Sequence, residues 1–255
     1  MNTLLLDLGN TALKCSTPQS IDTPFTFVHN SSGLISKNVV EQWEKEKYTI
    51  AYGSTVASEW IVHGIKQELK KLSIDCHWLQ SENKYEGEFI LENKYDYPHL
   101  LGADRWNAAI GAISLHPNEV LLVVHMGTAS TVDAIVPSEK EYNYQFLGGR
   151  IAPGPAMMRE GLARGTAHLP SAFGNYLDFP TNTIDAITTG IIDSQLGLVE
   201  RALKIMLKQG LSPRILLAGG AASMVEPYIS KEFEKVDVRH NLVLRGLAVR
   251  TQKTL

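Results

Sequence analysis

Two stretches of this chain follow one plan, and together they limit what the rest can be. In residues 4–14, Leu4-Leu5-Leu6-Asp7-Leu8-Gly9-Asn10-Thr11-Ala12-Leu13-Lys14, an apolar run ends in a carboxylate, turns on a glycine and two short polar residues, then resumes with alternating character. That pattern predicts a buried strand, a tight turn and a return strand. In residues 120–133, Val120-Leu121-Leu122-Val123-Val124-His125-Met126-Gly127-Thr128-Ala129-Ser130-Thr131-Val132-Asp133, the same plan returns in looser form. Two such turns in one chain point to an internal duplication. Gly9 lets a ligand approach the backbone, Asn10 and Thr11 offer hydrogen bonds, and Asp7 brings charge to the strand end. A magnesium-bound polyphosphate suits those groups, and an ordinary hairpin suits them as well. The chain has no Gly-x-x-x-x-Gly-Lys-Ser/Thr loop and no Gly-x-Gly-x-x-Gly after a strand, which argues against P-loop and Rossmann sites.

The length of 255 residues, with 44% hydrophobic and 20% charged side chains, describes a soluble globular chain of two modest lobes or one large domain. A net charge of -3 gives no electrostatic reason to expect nucleic acid or acidic lipid as a partner. No window is apolar enough to span a bilayer, and the start lacks a basic region followed by a secretory apolar core, so the cytoplasm is the expected location. Cys15 and Cys76 have no paired spacing, and both read as structural thiols rather than a disulfide or zinc site.

Along the chain, residues 21–28 predict a third strand closed by the polar turn Asn30-Ser31-Ser32-Gly33. A helix face follows at Val39, Val40 and Trp43. A strand over 48–52 ends at Gly53-Ser54-Thr55, and a helix carries Trp60, Ile61, Ile65 and Leu69 inward. His77-Trp78-Leu79 reads as a short strand, and residues 81–84 read as a surface loop. Pro98 and Gly102 then break the chain before a helix with Trp106, Ala109, Ile110 and Ile113 inward, which puts Asp104 and Arg105 in its first turn. An acid there is favoured by the helix dipole alone. It is equally placed to accept a proton from a substrate hydroxyl, with Arg105 clamping an anion and Tyr95 walling the pocket. After a strand over 144–147, Pro153-Gly154 opens a helix whose Met157, Met158 and Leu162 read as core. A long helix runs from its cap at Asn182-Thr183 to Gly210, and Gly190 and Gly197 predict close approach of another helix or a ligand. Residues 214–223 predict a strand, a glycine turn and a helix start, where Gly219-Gly220 suits an adenine or tight packing.

Asp7-x-Gly9-Asn10-Thr11, Gly102-x-Asp104-Arg105, Gly127-Thr128-Ala129-x-Thr131-x-Asp133, Gly148-Gly149-x-Ile151-x-Pro153-Gly154 and Asn182-Thr183-x-x-Ala186-Ile187-x-x-Gly190, in this order, resemble type III pantothenate kinases. The resemblance spans almost the whole chain, and the length also fits. It implies an α/β fold of two ribonuclease-H-like lobes, of the acetate and sugar kinase, Hsp70 and actin superfamily, around an ATP cleft. The lobes would be residues 1–117, with the first phosphate loop and the substrate stretch, and 118–255, with the second loop and an adenosine turn. It implies a homodimer that transfers the γ-phosphoryl of ATP to the primary hydroxyl of pantothenate, the first step toward coenzyme A. Asp7, Leu8, Gly9, Asn10, Thr11, Ala12, Leu13 and Lys14 would then form the first phosphate loop, with Asp7 acting on Mg2+ through water, and Thr128 would contact ATP from the second. Tyr95, Gly102, Ala103, Asp104 and Arg105 would bind pantothenate, with Asp104 as proton acceptor and Thr183 as a further contact across the dimer.

Two positions depart from the family. Where it has an acid serving a monovalent cation, K+ or NH4+, this chain has His125, and imidazole is a poor ligand for potassium. One reading packs a neutral His125 at the strand end; the other has a protonated His125 supply the charge that the cation would. Tyr97 stands where Asn commonly precedes the proline. Two alternatives to the kinase reading remain open at this stage: a non-catalytic accessory or regulatory relative, and a kinase of the same superfold acting on another small alcohol or acid.

Overall fold

The computed structural model describes residues 2–29 and 35–252. The opening elements are β1 (Thr3–Leu8), β2 (Ala12–Ser16), β3 (Phe25–Val28), α1 (Lys37–Glu46), β4 (Ile50–Thr55), α2 (Glu59–Lys71) and β5 (Asp75–Trp78). A small hairpin, β6 (Lys84–Glu86) and β7 (Ile90–Asn93), leads to a single 3-10 turn (Pro98–Leu100) and α3 (Ala103–Leu115). Next come β8 (Leu121–Met126), β9 (Ala129–Pro137), β10 (Asn143–Pro153), α4 (Pro155–Gly165) and α5 (Thr183–Lys208). The last four are β11 (Arg214–Ala218), α6 (Ala222–Glu232), β12 (Val236–Val238) and α7 (Leu242–Thr251).

These elements divide into two units, one of Met1–Asn118, Pro137–Leu147 and Asn241–Leu255, the other of Glu119–Val136 and Gly148–His240. The first break falls after Asn118. Residues 137–147 and α7, expected in the second lobe, belong to the first unit. In unit 1 the sheet order is β3-β2-β1-β4-β5, with β1 antiparallel to β2 and parallel to β4. The other, seven-stranded sheet contains the same order as β10-β9-β8-β11-β12, with β8 antiparallel to β9 and parallel to β11. The internal duplication expected from the two turns is therefore a duplication of topology.

The leucine run of β1 is uninterrupted because the strand is covered on both faces. Leu4, Leu6 and Leu8 pack with Leu13, Trp43 and Ile65 on one side, while Leu5 packs with Leu244, Leu247 and Ala248 of α7 on the other. In unit 2, Leu122, Val124 and Met126 of β8 meet Ile192, Leu196 and Val199 of α5. Helices α3 and α7 cross almost backbone to backbone: a Cβ at Gly246 would collide with the Asn107 carbonyl, and one at Gly111 with that of Leu242. This crossing draws α7 into unit 1 and buries α3 on nearly every side.

Several local expectations change. The third strand starts only at Phe25, since Thr23 closes a turn onto Ser20 and Pro24 has no N–H to pair. The turn expected at Asn30-Ser31-Ser32-Gly33 lies outside the described residues. Gly53-Ser54-Thr55 continues β4, and Gly148-Gly149 lies within β10. Trp60 is 63% exposed, leaving Ile61, Ile65 and Leu69 as the buried stripe of α2. Met157 and Leu162 are exposed rather than core, and among the described residues nothing beyond the helix's own nearby backbone lies within 4 Å of where a Cβ on Gly190 or Gly197 would stand. Burial pushes the Cys15 thiol up to about 12 and Cys76 to about 11, so both are poor nucleophiles. No helix among the described residues is long and apolar enough to cross a membrane.

Candidate active site

The first turn is a two-residue hairpin tip. Gly9 N–H donates to the Ala12 carbonyl at 2.9 Å, leaving Asn10 and Thr11 exposed at the end. Leu8 and Leu13 bury their side chains in the core, so only their backbone is available to a ligand. Register pairs Asp7 with Lys14 across β1 and β2. A residue not singled out from sequence braces the tip: His29 Nε2 donates to the Gly9 carbonyl at 2.9 Å, and its backbone N–H to that of Thr11 at 3.0 Å. Its distance in sequence left no local signal.

Desolvation raises the Asp7 carboxyl to about 6. The Lys14 ammonium opposes the shift and the Asp104 carboxylate adds to it. Asp7 and Asp104, far apart in sequence, thus feel each other's charge. Lys14 Nζ in turn donates to Asn241 Oδ1 at 3.3 Å.

Residues 95 and 102–105, expected to bind substrate, lie in the same unit. Gly102 caps α3 and Asp104 lies in its first turn, where Asp104 Oδ1 accepts the Arg105 backbone N–H at 2.8 Å. A Cβ on Gly102 would stand 2.6 Å from Asp104 Oδ1, so glycine here leaves room for the carboxylate. Arg105 is only 7% exposed; its guanidinium donates to Tyr95 Oη at 2.7 Å and stacks over the rings of Tyr95 and Phe146 at 5.5 and 5.8 Å. Ala103 is buried and Tyr97 is exposed at the rim. Residues 81–84, expected as surface loop, prove partly internal: buried Ser81 donates to the carbonyls of Pro98 and Leu101 at 3.0 and 2.7 Å.

The second turn is held differently. Gly127 N–H donates to Ala129, Gly154 N–H to Thr128 at 3.0 Å, and Ala221 N–H to Met126 at 2.9 Å. Side chains at Gly154 or Gly219 would collide with the carbonyls of Gly127 and Met126 respectively, and Gly219 sits at φ +102. Gly219 is therefore tight packing, whereas Gly220 faces open space. Thr128 is exposed at the tip and His125 is half-buried on β8, opposite Thr131.

Thr183 is not brought to the Thr128 turn. It is exposed at the start of α5, some 18 Å along the helix from Gln195, which hydrogen-bonds Ser130 beside that turn. Asn182 caps α5 by accepting the Asp185 N–H at 2.9 Å. Thr183 instead lines a groove of about 700 Å³ between α4 and α5, whose walls include Met158, Leu162, Ile187 and Ile191.

Among the described residues no three His, Cys, Asp or Glu side chains group as a metal cluster. A desolvated carboxylate such as Asp7, beside a second acid, nevertheless suits a hard cation that takes most of its oxygens from water and phosphate.

A family model described as type III pantothenate kinase matches residues 3–204. The type III pantothenate kinase of Aromatoleum aromaticum is 41% identical over 197 residues, 77% of this chain and 76% of its own length. That of Albidiferax ferrireducens is 35% identical over 263 residues, covering 97% and 96%. Among solved structures, a Sinorhizobium meliloti protein described as a 2-dehydro-3-deoxygalactonokinase superposes with a TM-score of 0.59 at 10% identity, covering 99% of both chains. A Campylobacter jejuni protein described as a Baf family transcriptional activator gives 0.57 at 20% identity, covering 98% of both. These two likenesses carry the fold alone; the sequence matches carry the family, and the chain belongs to the type III pantothenate kinases.

Proposed function

We propose that this chain transfers the γ-phosphoryl group of ATP to the primary hydroxyl of pantothenate in the cytoplasm, forming 4'-phosphopantothenate for coenzyme A synthesis. The observation that supports it most is the gathering, within one unit, of Asp104, the Tyr95-bound Arg105, Asp7 and Lys14. Asp104 accepts the hydroxyl proton as the oxygen attacks phosphorus and the bond to ADP breaks. Arg105 pairs with the pantothenate carboxylate, its planar fork oriented by Tyr95. The hairpin of residues 7–14 meets the phosphates, with Lys14 as its cation, and Thr128 contacts ATP. Mg2+, held through water by Asp7, would neutralise phosphate charge. His125 takes the position of the monovalent-cation ligand, and the reaction proceeds without K+ or NH4+.

The chain acts as a homodimer through the α4–α5 groove. Its apolar walls, the openness at Gly190 and the exposed Met157 and Leu162 give a second copy a surface to cover, and Thr183 on its edge then serves the neighbour's pantothenate. Purified protein with ATP and pantothenate, read by mass spectrometry, is expected to give the phosphorylated product, and Asp104→Asn to lose it. Turnover of a different alcohol but not pantothenate overturns the substrate; light scattering that returns a monomer overturns the dimer.

A further inference from the structure

Outside the residues matched by the family model lies α7, and its last turn carries a cation turned inward. The Arg250 side chain is 6% exposed. It donates to Asn107 Oδ1 at 2.9 Å, to the Gln80 carbonyl at 3.1 Å and to Glu82 Oε1 at 2.6 Å. We propose that Arg250 is a positioning residue for the pantothenate side of the site, acting through Asn107 on the first turn of α3 and through residues 80–82 on the stretch that leads into it.

Asn107 is completely buried. Its Nδ2 donates to the Ala103 carbonyl at 2.8 Å, in the turn that carries Asp104 and Arg105. An amide can serve that carbonyl only if its oxygen points the other way. Arg250, which is donor only, takes that oxygen and so fixes the amide's orientation. On its other side, Arg250 holds the segment from which Ser81 donates to Pro98 and Leu101, and whose Glu82 carbonyl accepts from Asn93 Nδ2 at 3.1 Å. Asn93 Oδ1 accepts the Tyr95 N–H at 3.1 Å. One guanidinium therefore reaches Tyr95 through Glu82 and Asn93, and the Ala103 carbonyl next to Asp104 through Asn107 alone. A lysine has the charge but not the planar fork that three acceptors require.

The inference rests on the pantothenate kinase reading, and its test separates the two. In Arg250→Met, kcat/KM for pantothenate is expected to fall about 10-fold or more while KM for ATP stays within about 2-fold, and Arg250→Lys is expected to recover part of the loss. Hydrogen exchange should quicken at residues 79–82 and 98–107 and stay unchanged in β1 and β4. If Arg250→Met does not fold, Arg250→Lys carries the test with an intermediate loss of the same kind. A folded variant with both kinetic constants and the exchange of 98–107 unchanged, or with both substrates affected equally, overturns the proposal. Absence of pantothenate turnover by the unaltered chain defeats the functional reading instead, and the exchange data still decide the role of Arg250.

Discussion

The two hairpins share a strand order around them and differ in what holds them and what they carry. The first, at residues 7–14, bears Asp7 and Lys14, closes on its own Gly9–Ala12 hydrogen bond and is braced by a side chain, His29. The second, at residues 125–131, has hydroxyls at its turn, with His125 on the strand before it, and is braced by the bare backbones of Gly154 and Gly219. Duplication preserved the topology, while the charge of Asp7, Lys14 and Asp104 collected in one unit. Under the proposed function, phosphate chemistry is concentrated there.

The largest expected effect comes from removing that charge. Asp104→Asn should lower kcat by about 10²- to 10⁴-fold, measured under saturating substrates. Asp7→Asn should also abolish most activity, yet stabilise the free protein. Folding lifts Asp7 from an ordinary 3.8 to about 6, so the folded chain keeps a proton that the unfolded chain releases. The stability this contributes is present in acid and lost as pH rises through 6. At pH 7.5 Asp7→Asn should gain at most about 3 kcal/mol over the parent in denaturant unfolding, and the gain should vanish near pH 3.

Glycine substitutions test the bracing. Gly154→Ala drives a methyl into the Gly127 carbonyl and should cost about 1–3 kcal/mol, read by thermal unfolding. At Gly9 the nearest atom to an added Cβ is the Ala12 carbonyl oxygen at 3.6 Å, an ordinary contact. Gly9→Ala should therefore leave the melting temperature nearly unchanged and raise KM for ATP. The pH profile is a subtler check: kcat/KM for MgATP should show an acidic limb near 6, set by Asp7 in the free enzyme. The smallest effect concerns His125, where exchanging Na+ for K+ or NH4+ at constant ionic strength should change the rate less than about 2-fold; strict dependence on either ion would mean that the histidine does not replace it.

Both hairpins were legible because strand, turn and charge lie within a dozen consecutive residues. Asp104 and Arg105 were legible too, since Pro98 and Gly102 mark the start of α3. What escaped were pieces whose pattern is hidden by burial or brevity. Helix α7 is covered on several sides, by β1 and by α3, and so shows no clean apolar stripe. Strands β6 and β7 run only three and four residues and carry Lys84, Glu86 and Glu92, too short and too charged to show a strand pattern. Ser81 looked like solvent-facing polarity because its acceptors, Pro98 and Leu101, come later in the chain. Met157 and Leu162 were read as core, but their apolar faces lie open.

The crossing of α7 over α3 also governs how the protein is made. Synthesis delivers the amino-terminal unit early, yet that unit lacks its closing piece until residues beyond 240 have left the ribosome. A nascent chain halted before that point would hold Asp7, Lys14 and Asp104 in its sequence without the strut that seats them. Catalytic competence then waits on α7, and no product that stops short of it should turn over ATP.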